Sequence, residues 1–237
     1  MNTKTSVSSV SPTILCLETA GLSCSVCLAN DKGVLYERVE SAPYKHSEIL
    51  APFVDEILKE AGLKVSDLSA IVINKGPGSY TGLRVGFSLI KALAFSCGVP
   101  MIGISGLEGL AWTASEKTEF DLCIPMLDAR RMEVYLAIYD SQLKTVEEPR
   151  PQILNETYFS HSRFMEKNVL LTGNGIEKLS SFSLPANISL TEGHLKASNL
   201  IAPGLKALIG QKTENTAYFE PMYLKEARIT TSNKTHT

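Results

Sequence analysis

Histidine is scarce and scattered. His46, His161, His194 and His236 include no pair at i, i+3 or i, i+4 spacing, so no helix can present two imidazoles to one ion. Neither a metal site nor a cofactor is expected. An excess of one charge is missing too: 23 Lys and Arg against 25 Asp and Glu leave a formal charge of −2, without the basic face that grips nucleic acid unaided. No apolar run reaches the ~18 residues of a membrane span, because Arg84 and Lys91 interrupt the longest one. Five cysteines make an odd set, which suits a reduced, cytoplasmic chain better than a disulfide framework. Cys24 and Cys27 form a C-x-x-C, but they fall in an expected strand, where residues three apart point to opposite faces. Residues 1–12 are Ser/Thr-rich with no apolar centre, which argues against a secretory leader and for a frayed extension.

What is present is an ordinary globular composition, 44% apolar and 20% charged over 237 residues, organised around one stretch. Residues 74–86 read N-K-G-P-G-S-Y-T-G-L-R-V-G, after an apolar run (70–73) with strand character and before a helical segment (83–95). Strand, glycine loop and helix can present backbone N–H groups to an anion at a helix N-terminus. The same glycines can equally serve a tight turn and close packing of helix on sheet. Familiar nucleotide and nucleophile patterns fail letter by letter. Gly76, Gly78 and Gly82 are spaced one residue too long for a dinucleotide fingerprint, Leu83 and Arg84 replace the Lys-Ser/Thr of a P-loop, and Ser79 directly follows Gly78.

The chain opens as a meander, with strands at 14–18, 24–28 and 34–39 joined by polar turns. Residues 47–61 have helical spacing, with Ser47 as cap, Gly62 as stop and Pro52 near the first turn. A strand at 101–104 and a helix at 107–115 follow, and then strands at 122–127 and 132–139 around a turn at 128–131 repeat the opening after about 110 residues. The repeat implies two related α/β halves. Further on, a strand at 169–172 enters another glycine loop. A helix capped by Ser198 runs to 209 with an expected break at Pro203 and Gly204. Residues 220–226 read as docked, and 228 onward as a polar, disordered tail.

Glu18 and Asp128 each close the first strand of a repeat. Each can steer a Mg²⁺–phosphate between the halves, with Thr19 beside the first, or each can anchor its own turn through backbone N–H groups, and the second role is favoured. On the helix after the glycine loop, steps of about 100° place Arg84, Ser88, Lys91 and Phe95 on one stripe and leave an apolar arc of roughly 220°. A helix on one sheet needs about 100°. The surplus calls for a second partner, either the 47–61 helix of the same chain or another subunit.

The segments L-E-T-A (17–20), K-G-P-G-S-Y-T-G-L-R-V-G (75–86), P-M-I-G-I-S-G-L (100–107), L-D-A-R-R-M-E-V-Y-L-A (127–137) and E-P-M-Y-L (220–224) together resemble the TsaB (YeaZ) family, over residues 14–226. The resemblance implies an actin-like (ASKHA) fold of two α/β halves, 13–112 and 113–227, each a mixed sheet with packed helices, and a tail at 228–237. It implies a place in the complex that forms N6-threonylcarbamoyladenosine beside the anticodon of tRNAs reading codons that begin with A. There a TsaD-like paralogue transfers the threonylcarbamoyl group from its AMP adduct and a TsaE-like ATPase assists. The present chain would be the non-catalytic dimerisation subunit, meeting tRNA only through the complex, with a homodimer also open and no membrane contact. Where the paralogue has H-M-E-G-H, residues 106–110 read G-L-E-G-L, without either imidazole. The family's Asp-Thr-Ala is here Glu18-Thr19-Ala20. The implied partner face comprises Ile49, Phe53 and Ile57 of the first helix and Gly86, Leu89, Ile90 and Leu93 of the second. The rival functions are a small kinase or ATPase of the same fold, and a peptidase.

Overall fold

The computed structural model describes residues 11–41 and 45–225. The extension expected over 1–12 lies outside these apart from residues 11 and 12, and the tail expected over 228–237 lies outside altogether.

Two five-stranded sheets share one topology. In the first, β1 (Ile14–Glu18) pairs antiparallel with β2 (Cys24–Asn30), which pairs with β3 (Gly33–Glu40). On its other side β1 pairs parallel with β4 (Ala70–Asn74), and β4 with β5 (Met101–Ile104). The second repeats this with β6 (Leu122–Asp128), β7 (Glu133–Asp140), β8 (Thr145–Ile153), β9 (Val169–Thr172) and β10 (Ile188–Thr191), in the order β8-β7-β6-β9-β10. The faint repeat in the sequence is thus a structural duplication. β8 and β10 were not legible as strands. β8 carries Pro149 and Pro151, which a sheet tolerates at an edge, where half the N–H groups need no ladder partner.

Each sheet is covered on both faces, which is why β1, β4 and β9 are continuous apolar runs without alternation. Helices α1 (His46–Ala61) and α2 (Tyr80–Cys97) cover the outer face of the first sheet through Leu50, Ile57, Phe87 and Ile90. Its inner face, with Ile14, Cys16 and Val72, meets a 3₁₀ turn (Ala197–Leu200) and α4 (Ile201–Ile209). Helix α3 (Gly106–Ser115) follows the first sheet in sequence yet packs Leu107, Leu110 and Ala111 on the second. Residues 112 and 113, between which the sequence divides the halves, both lie in α3. Phe159, Phe164 and Leu179, from 3₁₀ segments, close the last face. Cys24 and Cys27 point into different cores, as strand geometry requires.

Four helix starts differ from their sequence assignments, α3 only by the single residue Gly106. α2 begins at Tyr80 and not at 83, because the Ser79 hydroxyl accepts the Gly82 N–H (3.2 Å) and caps the added turn. α1 begins at His46 after Lys45, which places Ser47 inside the first turn, where it caps nothing. The final helix does not start at Ser198 or break at Pro203. Its 3₁₀ entry ends at Leu200, and Pro203 falls in the first turn of α4, where a missing N–H is harmless. The stops Gly62 and Gly98 are both left-handed, at φ +65° and +66°.

Candidate functional site

Glu18, the last residue of β1, is completely buried. Its Oε1 accepts the N–H groups of Ala20 (2.6 Å) and Gly21 (3.0 Å), and its Oε2 accepts from Asn74 Nδ2 (2.5 Å). Asn74, at the end of the neighbouring β4, in turn accepts the Gly76 N–H (2.8 Å). One carboxylate therefore ties together two parallel strand ends and the turns that leave them. Burial pushes its pKa up to about 7, against the pull of Asn74 and the two backbone donors. Thr19 beside it is also fully buried, and its hydroxyl has no hydrogen-bond partner among the described residues.

The glycine loop is shaped around this turn. A Cβ on Gly78 would lie 2.4 Å from the Ala20 carbonyl oxygen, on Gly82 2.0 Å from that of Thr19, and on Gly86 2.4 Å from Thr19 Oγ1. Gly82 and Gly86, one turn apart, form the stripe by which α2 seats on the turn, and Gly78 continues it just before the helix. Three of the loop's N–H groups are engaged within the chain: Gly76 to Asn74 Oδ1, Ser79 to the Ala20 carbonyl (2.8 Å) and Gly82 to the Ser79 hydroxyl. Close packing is what the glycines do. The four-residue spacing was present in the sequence as a signal for it.

Asp128 holds the equivalent place after β6 but is exposed. Its Oδ1 accepts the Arg130 N–H (2.6 Å) and pairs with Lys178 Nζ (2.6 Å). Partial burial raises its pKa, but Lys178 and the Arg130 N–H outweigh this and hold it below the usual carboxylate range. Between the two turns lies a cleft of about 350 Å³, lined by Gly21, Ser23, Leu127, Asn174, His194 and Leu195. Leu195 packs into its wall beside Gly21 and Gly106. At 106 any Cβ would lie 2.5 Å from Asn74 Nδ2 and 2.8 Å from Leu195 Cδ2, so an imidazole does not fit there unless the wall moves. Leu110 is buried beside Gly173 and Gly193.

On the outer face the seven residues assigned to a partner divide. Ile57 and Ile90 are 0% exposed and sealed in the first core, and Gly86 is covered by Thr19, so these three offer a partner no surface and are corrected to core. Ile49, Phe53, Leu89 and Leu93 are half-buried. A groove of about 540 Å³ runs between the helices, lined by Ser47, Leu50, Tyr80, Arg84, Val85 and Leu89. The stripe from the sequence is open to solvent at Arg84 and Ser88, and Phe95 is 84% exposed. Much of the surplus apolar arc is filled from within the chain, by α1 and by Phe219, whose ring centroid lies 4.9 Å from that of Phe87.

The two sheets of one topology, with an acid closing the first strand of each and a cleft between, are the actin-like fold. The family model described as "TsaD: tRNA N6-adenosine threonylcarbamoyltransferase" matches residues 33–233, and the chain belongs to that family. The chain is 28% identical to the Escherichia coli tRNA threonylcarbamoyladenosine biosynthesis protein TsaB, over 90% of its own length and 94% of that protein. Against the Bacillus subtilis TsaB it is 33% identical, over 68% and 71%. The solved YeaZ of Pseudomonas aeruginosa superposes with a TM-score of 0.76 at 26% identity, covering 90% of this chain and all of the other. Within the wider family, the chain is a member of the TsaB (YeaZ) group.

Proposed function

We propose that this chain is the non-catalytic dimerisation subunit of a tRNA-modifying complex. It pairs through the outer face of α1 and α2 with a TsaD-like catalytic paralogue, and a TsaE-like ATPase joins them. The paralogue carries out threonylcarbamoyl transfer to the adenosine beside the anticodon of tRNAs that read A-starting codons, and tRNA is met through the assembly. The observation that carries this reading is how the chain spends its polar groups. The acid at the corner of the cleft is saturated by three donors of its own chain, Leu195 packs into the cleft wall, and the α1–α2 groove is left open.

The test is sedimentation of the full chain, alone and with its catalytic paralogue, for wild type, Leu89→Glu and Leu93→Glu. Each glutamate would place an unpaired charge in a closed interface and should weaken pairing by ~100-fold or more while leaving the melting temperature within a few degrees of wild type. Folded variants that pair like wild type would place the interface elsewhere. The alternative, a nucleotide-dependent enzyme of the same fold, draws on the Ser23, Asn174 and His194 side chains of the cleft. A ligand binding at ~1 μM and supplied at millimolar concentration adds about 4 kcal/mol of stability, so ATP raising the melting temperature of the isolated chain by several degrees would favour that alternative.

A further inference from the structure

Residues 214–225 form a strap from the edge of the first sheet to the second half. The Glu214 N–H donates to the Met101 carbonyl (2.8 Å), adding a short antiparallel bridge to β5. Phe219 packs on Phe87 and sits over Gly103, where a Cβ would lie 2.2 Å from its ring. The Met222 N–H donates to the Lys75 carbonyl (2.6 Å), and a Cβ on Gly76 would lie 2.8 Å from the Met222 oxygen. Lys225 ends the strap on β7, paired with Glu133 and 5.2 Å over the Tyr135 ring. Two glycines, Gly103 in β5 and Gly76 in the loop after β4, leave room for this segment, and it is fastened at four places along its length.

Between its anchors the strap reaches Tyr80, which lines the α1–α2 groove. The Tyr223 ring packs on that of Tyr80, tilted by 38° with centroids 4.9 Å apart, and each residue is 43% exposed. Tyr80 opens α2 and lines the groove. One turn on, the Arg84 guanidinium lies over the Tyr80 ring at 5.5 Å, and its Nη1 donates to the Tyr80 hydroxyl (3.4 Å). Among the described residues Arg84 forms no ion pair. Two half-open aromatic rings and an uncompensated guanidinium beside an apolar groove have the composition of a binding hot spot.

We propose that the strap is a built part of the partner face, holding Tyr223 against Tyr80 so that Tyr223, Tyr80 and Arg84 form one platform that receives a carboxylate of the catalytic paralogue. The proposal rests on pairing through α1 and α2. The partner's acid pairs with Arg84, and its apolar neighbours cover the two tyrosine rings, which dries the ion pair and strengthens it. Tyr223 is a positioning residue here: without its ring Tyr80 is free to swing, and Arg84 loses the surface that orients it.

Calorimetric titration of the full chain with its catalytic paralogue, at low and at high salt, tests this. Tyr223→Ala should weaken pairing ~10-fold or more with an unchanged melting temperature, and Tyr223→Phe should restore it, because the ring and not the hydroxyl makes the stack. Arg84→Gln should weaken pairing and flatten its salt dependence. Leu89→Glu reports on the underlying reading. If Leu89→Glu abolishes pairing while Tyr223→Ala and Arg84→Gln match wild type at both salts, the platform is refuted and the α1–α2 interface stands. If wild type fails to pair, or Leu89→Glu pairs normally, the α1–α2 interface and the platform fall together.

Discussion

The turn after β1 and the turn after β6 occupy the same place in duplicated sheets, and each is organised by one acid, yet the two acids live in opposite surroundings. Glu18 is buried, accepts three hydrogen bonds from its own chain, and has its pKa raised. Asp128 is exposed, shares a cation and one backbone N–H, and has its pKa lowered. The cause lies in the segment that leaves the fourth strand of each repeat. After β4 comes the 18-residue α2, whose glycine stripe lets it settle onto Thr19 and Ala20 and seal the corner. After β9 comes only a 3₁₀ segment (Asn174–Leu179), which approaches Met126 through Gly173 and Gly175 and leaves Asp128 in water. One backbone device becomes a structural keystone in one half and a surface turn in the other. The covering helix decides which.

The comparison can be broken most severely at Gly82. Gly82→Ala drives a methyl to 2.0 Å from a backbone oxygen, and the helix must lift off the turn. The expected loss is about 3 kcal/mol or more, read by chemical denaturation. Gly175→Ala brings its methyl no nearer than 2.9 Å to Met126 and should cost less, about 1–2 kcal/mol. A smaller loss at Gly82 than at Gly175 would reverse the contrast between the halves.

Next comes pH. Glu18 has a folded pKa of about 7 against an ordinary value of 4.5, so between these the folded chain holds a proton that the unfolded chain releases. Stability should therefore fall as pH rises from about 4.5 to about 7, by up to about 3 kcal/mol. Glu18→Gln should be less stable overall, because its amide faces the Asn74 donor, but its stability profile across that window should be flatter than that of wild type. Parallel profiles would show that Glu18 does not titrate there. For Asp128 the sign is opposite: a depressed pKa supplies stability that is present above the ordinary carboxylate range and lost as pH falls through the folded value. With Asp128 half open to solvent, Asp128→Asn should change stability at neutral pH by less than about 1 kcal/mol. A larger loss would mean that the second turn is as structural as the first.

Much of this was legible in the residues. The first meander, the strand–loop–helix at 70–97 and the repeat near 110 residues are local patterns of period and turn chemistry, and the docked run near residue 220 announced itself through Met222, Tyr223 and Leu224. β8 was hidden because charged residues and two prolines mask an edge strand, and β10 because its four residues, Ile188 to Thr191, mix two polar side chains with two apolar ones and are not buried as a continuous apolar run.

The outer face of α1 and α2, proposed above as the partner face, shows where that legibility stops. The apolar arc of α2 could be counted from residues 80–97, and its excess over one sheet was real. Whether Ile90 or Leu89 faced outward depended on elements far away in the chain. Thr19 lies against Gly86, α1 closes over Ile90, and Phe219, from 132 positions beyond Phe87, covers the ring that the sheet leaves bare. Helix and turn formation is governed by hydrogen bonds and dihedral preferences within a few residues, so the local sequence carries it. Which apolar side chains stay open at the surface is governed by what else reaches them, and that is set when the two halves and the strap close on one another.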